Sequence, residues 1–219
     1  MKNEILIRTR TRLDGLMLLF VTEMPIKARE KLLYAGLKLF TEVGYQKTSV
    51  LEIVEMARVS KTTYYQQFKS KEDLMIALFE QLGDEMAEEV KHAILQEERI
   101  TYKAFAGINR YIQICFENKN VAQILLVESV GVSRNVELVR QRSHQVFATI
   151  ILQTVEAELP TTVTQKEMRI VAQAMVGAIN EVIMQLFFDT KEEVLNFEEI
   201  SRLLNRIVIS AFVNLGLQE

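Results

Sequence analysis

Between Ser60 and Ser70 the chain gathers Lys61, Thr62, Thr63, Gln66 and Gln67 around two aromatic residues, Tyr64 and Phe68. Hydroxyl, amide and ammonium groups so grouped exchange hydrogen bonds, and none is a nucleophile beside a base. That chemistry suits base edges and phosphates in a major groove. Tyr64 and Phe68 stand at i and i+4, so on a helix they share one face and the polar set takes the other. Bond-making chemistry finds little footing elsewhere. His144 follows Arg142 and Ser143, but one histidine beside a serine in sequence is no triad. Glu128, Glu137, Glu156 and Glu181 are scattered. Neither a Walker loop nor a dinucleotide glycine fingerprint occurs. Two histidines, His92 and His144, with one cysteine, Cys115, do not build a Cys/His zinc site. The expectation is a non-enzyme with no catalytic residue, no metal and no cofactor. Cys115 reads as a small buried apolar residue, or else as a redox reporter.

The elements that must hold the polar set are helices. Two prolines and eight glycines in 219 residues leave long uninterrupted stretches. From Pro25, suited to a first turn, Leu32, Ala35, Leu39 and Val43 recur at helical spacing. Gly44 should end this helix in the left-handed conformation, with Tyr45 packing back on Phe40 in a Schellman arrangement. Ser49-Val50-Leu51-Glu52 is a capping box opening a second, short helix that ends near Met56 or Ala57. Arg58-Val59-Ser60 forms the turn, with Val59 plugging the angle between helices. Ser60 caps a third helix, Lys61 to Phe68, and Ser70 caps a fourth. Two short helices about a three-residue turn, braced by a preceding helix, make a helix-turn-helix.

Ala28 to Leu74 resembles the DNA-binding domain of TetR (tetracycline-repressor-like) transcriptional regulators. The resemblance is carried by Leu39-Phe40-Thr41-Glu42-Val43-Gly44-Tyr45, by Thr48-Ser49-Val50-Leu51-Glu52-Ile53, and by the run from Val59 to Leu74. It implies phosphate contacts for Thr48, Tyr65 and Lys71, base contacts for Lys61, Thr62 and Gln66, and either for Thr63; Ser49 belongs to the same DNA-binding set. Lys71 in a first helical turn opposes the helix dipole, a conflict that a phosphate there would relieve. A loop hydroxyl for Thr48, a packed tyrosine for Tyr65 and a solvated lysine for Lys71 are the structural alternatives. The family usually has glycine where this chain has Arg58, which predicts a positive φ at a cost of about 1 kcal/mol. Arg58 reaching a phosphate is a second reading.

Charge separates front from back. Met1 to Lys71 carries 13 Lys and Arg against 7 Asp and Glu; the remainder carries 13 against 22, giving −3 overall. A basic front and an acidic back suggest two tasks. The fold class expected is all-α: an N-terminal three-helix helix-turn-helix domain over 25–71 and a C-terminal helical bundle over 72–219 for ligand binding and dimerisation. Residues 1–24 read as an extension, loosely attached or preceding a true start at Met24. Its apolar run of six residues, Leu16 to Val21, is short for a signal peptide and lacks a cleavage site. With a single cysteine and no run long enough for a bilayer, a cytoplasmic protein with no membrane partner is expected.

Helices are expected over Lys71 to Leu95, Tyr102 to Phe116, Val121 to Ser129, Val136 to Glu158, Gln165 to Phe188 and Glu198 to Leu215, with a turn at Leu159-Pro160-Thr161-Thr162. The last two helices are apolar on more than one face, and Ala174, Gly177 and Ala178 permit close approach. They are expected to pair with their copies in an isologous homodimer; burial within one chain is the alternative. Two reading heads then meet a palindromic double-stranded operator with half-sites roughly 34–36 Å apart. Phe105, Ile108, Ile112, Phe116, Phe147, Met175 and Ile179 are candidates to line an effector pocket, or else ordinary core. The function expected is a ligand-responsive transcriptional regulator, by family resemblance a repressor, released by a small hydrophobic effector. An all-helical enzyme or lipid-binding protein is the competing class.

Overall fold

The computed structural model of the chain describes residues 11–12, 15–155, 163–188 and 196–215. Helices dominate: α1 (Ala28–Glu42), α2 (Val50–Ala57), α3 (Lys61–Gln67), α4 (Lys71–Gln96), α5 (Ile100–Glu117), α6 (Lys119–Gln123), α7 (Arg134–Val155), α8 (Gln165–Phe188) and α9 (Phe197–Leu215). A two-residue antiparallel pair, Thr11–Arg12 with Gly15–Leu16, and a 3-10 turn at Leu18–Phe20 precede them. The all-α expectation holds. The helices form two compact units, Met1–Glu85 with Asn118–Val139, and Met86–Glu117 with Arg140–Glu219. α4 and α7 each contribute to both.

Local chemistry explains most boundaries. α1 starts at Ala28, three residues beyond Pro25, with Lys27 as an extended N-cap. Gly44 has φ +96, and Tyr45 packs edge-on against Phe40 at 5.2 Å. The Schellman bond expected there is not made, because the Tyr45 N–H donates to Glu128 Oε2 at 3.0 Å instead. The bond pair appears one helix later. Arg58 is left-handed (φ 52, ψ 48), its N–H donates to Glu55 O, and Val59 N–H donates to Val54 O at 3.1 Å. Both halves of the Ser49/Glu52 capping box are present.

In the first unit α1 packs on α2, α3 and α6. Its interior holds Leu32, Phe40, Ile53, Tyr64, Phe68, Leu74 and Leu78, each no more than 2% exposed. α6 stops after Gln123 and passes into a π turn, Ile124–Glu128, closed by Ser129 N–H donating to Ile124 O at 3.3 Å. The extension is not loose from Met17 onward. Met17, Leu18 and Leu19 are buried, and Leu19 N–H donates to the buried Glu85 Oε2 at 2.9 Å. The middle of the apolar run is therefore core, with Phe20 and Val21 half-buried beside it. In the second unit α9 packs on α5 and α8. The turn at Leu159-Pro160-Thr161-Thr162 and the end of the expected helix at Glu158 lie outside the described residues.

Candidate nucleic-acid interface and ligand cavity

The helix-turn-helix is assembled from its caps outward. Ser60 Oγ accepts the Thr63 N–H at 3.0 Å and starts α3; the Phe68 N–H donates to Tyr64 O and ends it. Tyr64 is fully buried and its Oη donates to Ser70 O at 3.0 Å, tying α3 to the start of α4. Burial raises the Tyr64 phenol well above its ordinary value, so it stays a donor. Phe68 is 2% exposed, with the Arg29 guanidinium 4.6 Å above its ring. With those rings inside, Lys61, Thr62, Tyr65, Gln66 and Gln67 are exposed on the other face. Tyr65, at 57% exposure, leans edge-on against Tyr64 at 5.3 Å. Thr63 is half-buried, its Oγ1 2.9 Å from Ser60 Oγ. Ser49 is exposed at the start of α2, its hydroxyl donated to Glu52 Oε2.

Two residues of the expected contact set are placed differently from the rest. Thr48 is 2% exposed, and its hydroxyl donates to Gly44 O at 2.9 Å, bracing the turn after α1. The Lys71 ammonium donates to Tyr45 O at 2.7 Å, Thr48 O at 2.8 Å and Gln46 O at 3.4 Å. It also sits 4.3 Å above the Tyr45 ring. An ammonium has three donors, and all three have carbonyl partners here. Burial pulls the Lys71 pKa down, while the Glu52 carboxylate pushes it back up.

The same turn is held from a distant stretch of sequence. Gln123 Nε2 donates to Thr41 O at 3.0 Å and to Glu128 Oε1, and Glu128 Oε2 takes the Tyr45 N–H. Glu72 Oε1 accepts from Ser133 Oγ at 2.8 Å and Asn135 Nδ2 at 3.0 Å. No spacing rule announces these braces, because between 61 and 83 residues separate the partners that join distant stretches.

In the second unit an apolar cavity of about 60 Å³ opens between α4, α5, α7, α8 and α9. Ile108, Phe147 and Ile179 of the expected pocket line it. The other four expected residues do not. Phe105 borders a separate groove with Tyr102 and Arg202, and Phe116 stacks against Phe197 at 4.8 Å. Ile112 is core at 0% exposure, and Met175 is half-buried. Sequence reading missed Tyr111 and Asn180. Tyr111 follows Ala104, Gly107 and Ile108 along one face of α5, a stripe that hydropathy blurs because it mixes glycine and a phenol. Tyr111 Oη donates to Asn180 Oδ1 at 2.7 Å, and Asn180 Nδ2 stands 3.4 Å from His144 Nε2. Cys115 is buried, and burial pushes its thiol up to about 12, so it is a thiol rather than a thiolate near neutrality. Among the described residues no group of three or more His, Cys, Asp or Glu side chains could hold a metal, and no helix is long and apolar enough to cross a membrane.

A short helix with its aromatic face buried and its polar face bare, set after a capped helix and a tight turn, is a helix-turn-helix DNA-binding domain. Residues 32–78 match the model of the bacterial regulatory proteins of the tetR family. The likeness runs from Leu32 in α1 through α2 and α3 into the start of α4. It is 30% identical over 92 residues to the HTH-type transcriptional repressor ComR of Escherichia coli, covering 42% of this chain and 44% of that one. It is 27% identical over 94 residues to the fatty acid metabolism regulator protein of Bacillus subtilis, covering 43% and 48%. The chain thus matches under half the length of these curated relatives. The fold likeness is broader. The crystal structure of a transcriptional regulator FadR from Bacillus subtilis in complex with stearoyl-CoA superposes with TM-score 0.70 at 18% identity, over 83% of this chain and 97% of that one.

Proposed function

We propose that the chain is a transcriptional repressor that grips a palindromic duplex as a homodimer and releases it when a small hydrophobic effector enters the second unit. The observation that carries the DNA-binding reading is the outward polar face of α3 over buried Tyr64 and Phe68. Lys61, Thr62 and Gln66 read base edges, Tyr65 and the α2 start at Ser49 meet phosphates, and Thr63 serves either. Thr48 and Lys71 shape the turn beside that face.

Dimerisation is supported by apolar surface that one chain leaves bare. Ile170, Ala174 and Gly177 lie exposed along α8, and Leu203 and Ile207 along α9 at 50% and 45% exposure. A Cβ added at Gly177 would meet nothing within 4 Å, leaving room for a partner helix. Effector coupling is supported by α4, which carries Lys71 at its start and the cavity residues Val90 and Ile94 near its end. A ligand that shifts α4 links the two sites reciprocally, typically by about 1–3 kcal/mol.

The test is selection of bound duplexes from a random library. A palindromic consensus whose affinity falls steeply with salt is expected. Lys61→Ala, Thr62→Ala and Gln66→Ala should shift the consensus, whereas Tyr65→Ala should weaken every duplex. Enrichment of no sequence, with retention indifferent to salt, overturns the reading and leaves the enzyme or lipid-carrier class.

A further inference from the structure

Resting on the reading of the second-unit cavity as an effector site, we infer that it selects an uncharged, mainly aliphatic compound carrying one hydrogen-bonding group, which the Tyr111–Asn180 pair receives. No Asp, Glu, Lys or Arg lines the cavity. A charged group brought there would lose its hydration with no partner to replace it. Valine, isoleucine and alanine make up most of the wall, including Val90, Ile94, Ala104 and Ile150.

A donor and an acceptor lie side by side at one place on the wall. The Thr154 hydroxyl gives its hydrogen to Ile150 O at 2.7 Å, within its own helix, and offers a guest acceptor lone pairs only. Tyr111 Oη gives its hydrogen to Asn180 Oδ1, and one amide hydrogen of Asn180 faces His144 Nε2. A phenol oxygen has lone pairs beyond its own hydrogen, and an amide nitrogen has a second hydrogen. A guest hydroxyl can donate to the first and accept from the second. Burial holds Tyr111 far above its ordinary pKa, so the phenol enters this exchange neutral. The pair is fixed in place, because the Tyr111 ring lies edge-on to Phe147 at 5.2 Å. A hydrocarbon alone would fill the space and leave the pair unused.

Four probes of one chain length separate the possibilities: 1-pentanol, pentane, pentanoate and pentylammonium. Each is titrated against the full-length protein by calorimetry and thermal shift, while retention on the selected duplex is followed in the same solution. The expected order is 1-pentanol above pentane, with both ions at least about tenfold weaker than the alcohol. Tyr111→Phe and, separately, Asn180→Leu should cost the alcohol up to about tenfold and leave pentane unchanged. Having both variants guards against one failing to fold. Equal binding of alcohol and hydrocarbon, or preference for either ion, overturns the inference and leaves an effector cavity standing. Selective alcohol binding without any change in DNA retention keeps the selectivity and removes the effector role. Binding of none of the four removes both.

Discussion

Arg58 holds a left-handed backbone, φ 52, at the sharp end of α2. A side chain in that region costs an L-residue about 1 kcal/mol, which glycine escapes. Arg58→Gly should therefore raise unfolding stability by about 1 kcal/mol, read from chemical denaturation. Unchanged affinity for DNA in the same variant would show that the guanidinium makes no phosphate contact. Glu52 shows the reverse balance. The Ser49 backbone N–H and hydroxyl hold its carboxylate below the ordinary value of 4.5. A carboxyl with a depressed folded pKa stabilises above its unfolded value, and that contribution fades as pH falls through the folded one. Glu52→Gln should be less stable than the parent near neutrality. The gap should close as the medium is acidified past the ordinary carboxylate range and the folded Glu52 carboxyl itself takes up a proton, leaving both side chains neutral. A gap independent of pH in denaturation curves would count against the capping box as its source.

At the scale of elements, α3 is only seven residues long and borrows its stability from neighbours. Ser60 starts it, Tyr64 and Phe68 anchor it, and the turn from Tyr45 to Thr48 supports the start of α2 beside it. Lys71 ties that turn to α4 through three carbonyls. If Lys71 positions rather than touches DNA, Lys71→Ala should lower the melting temperature and weaken every duplex. The slope of log affinity against log salt should stay the same. A phosphate contact would instead reduce that slope by about one. Gel shifts at several salt concentrations separate the two.

For the molecule as a whole, two predictions concern surfaces. Leu203→Glu with Ile207→Glu places charge on the bare face of α9. Monomers by light scattering, with loss of retention on palindromic DNA but unchanged helicity, are the expected result. A dimer that survives both charges sets the interface elsewhere. The second concerns the amino-terminal stretch. Leu18 and Leu19 are 1% and 2% exposed within the first unit. Removing residues 1–23 should cost about 3 kcal/mol of stability, since burying a leucine contributes about 1.5–3 kcal/mol. An unchanged denaturation midpoint would mean that this stretch does not hold the fold together.

Much of the DNA-reading unit was legible in the chain itself, because it is built from short-range rules. Ser49 with Glu52, Ser60 with Thr63, Gly44, and the i, i+4 pair Tyr64/Phe68 each act within a few residues. Local sterics and hydrogen bonding alone fix helix ends and faces there. Helix periodicity likewise located α4, α5, α8 and α9 to within a few residues. What tertiary structure decided is what depends on partners far along the chain. Glu128 takes the Tyr45 N–H and so displaces the local bond expected after α1. Leu18 and Leu19 turn an apparent tail into core. Tyr111 and Asn180 meet across 69 positions, while Ile112 and Phe116, as apolar as the cavity residue Ile108, turn elsewhere. Periodicity tells which residues share a face of one helix; which face closes a cavity is set by how several helices pack together, and that competition has no short-range signature.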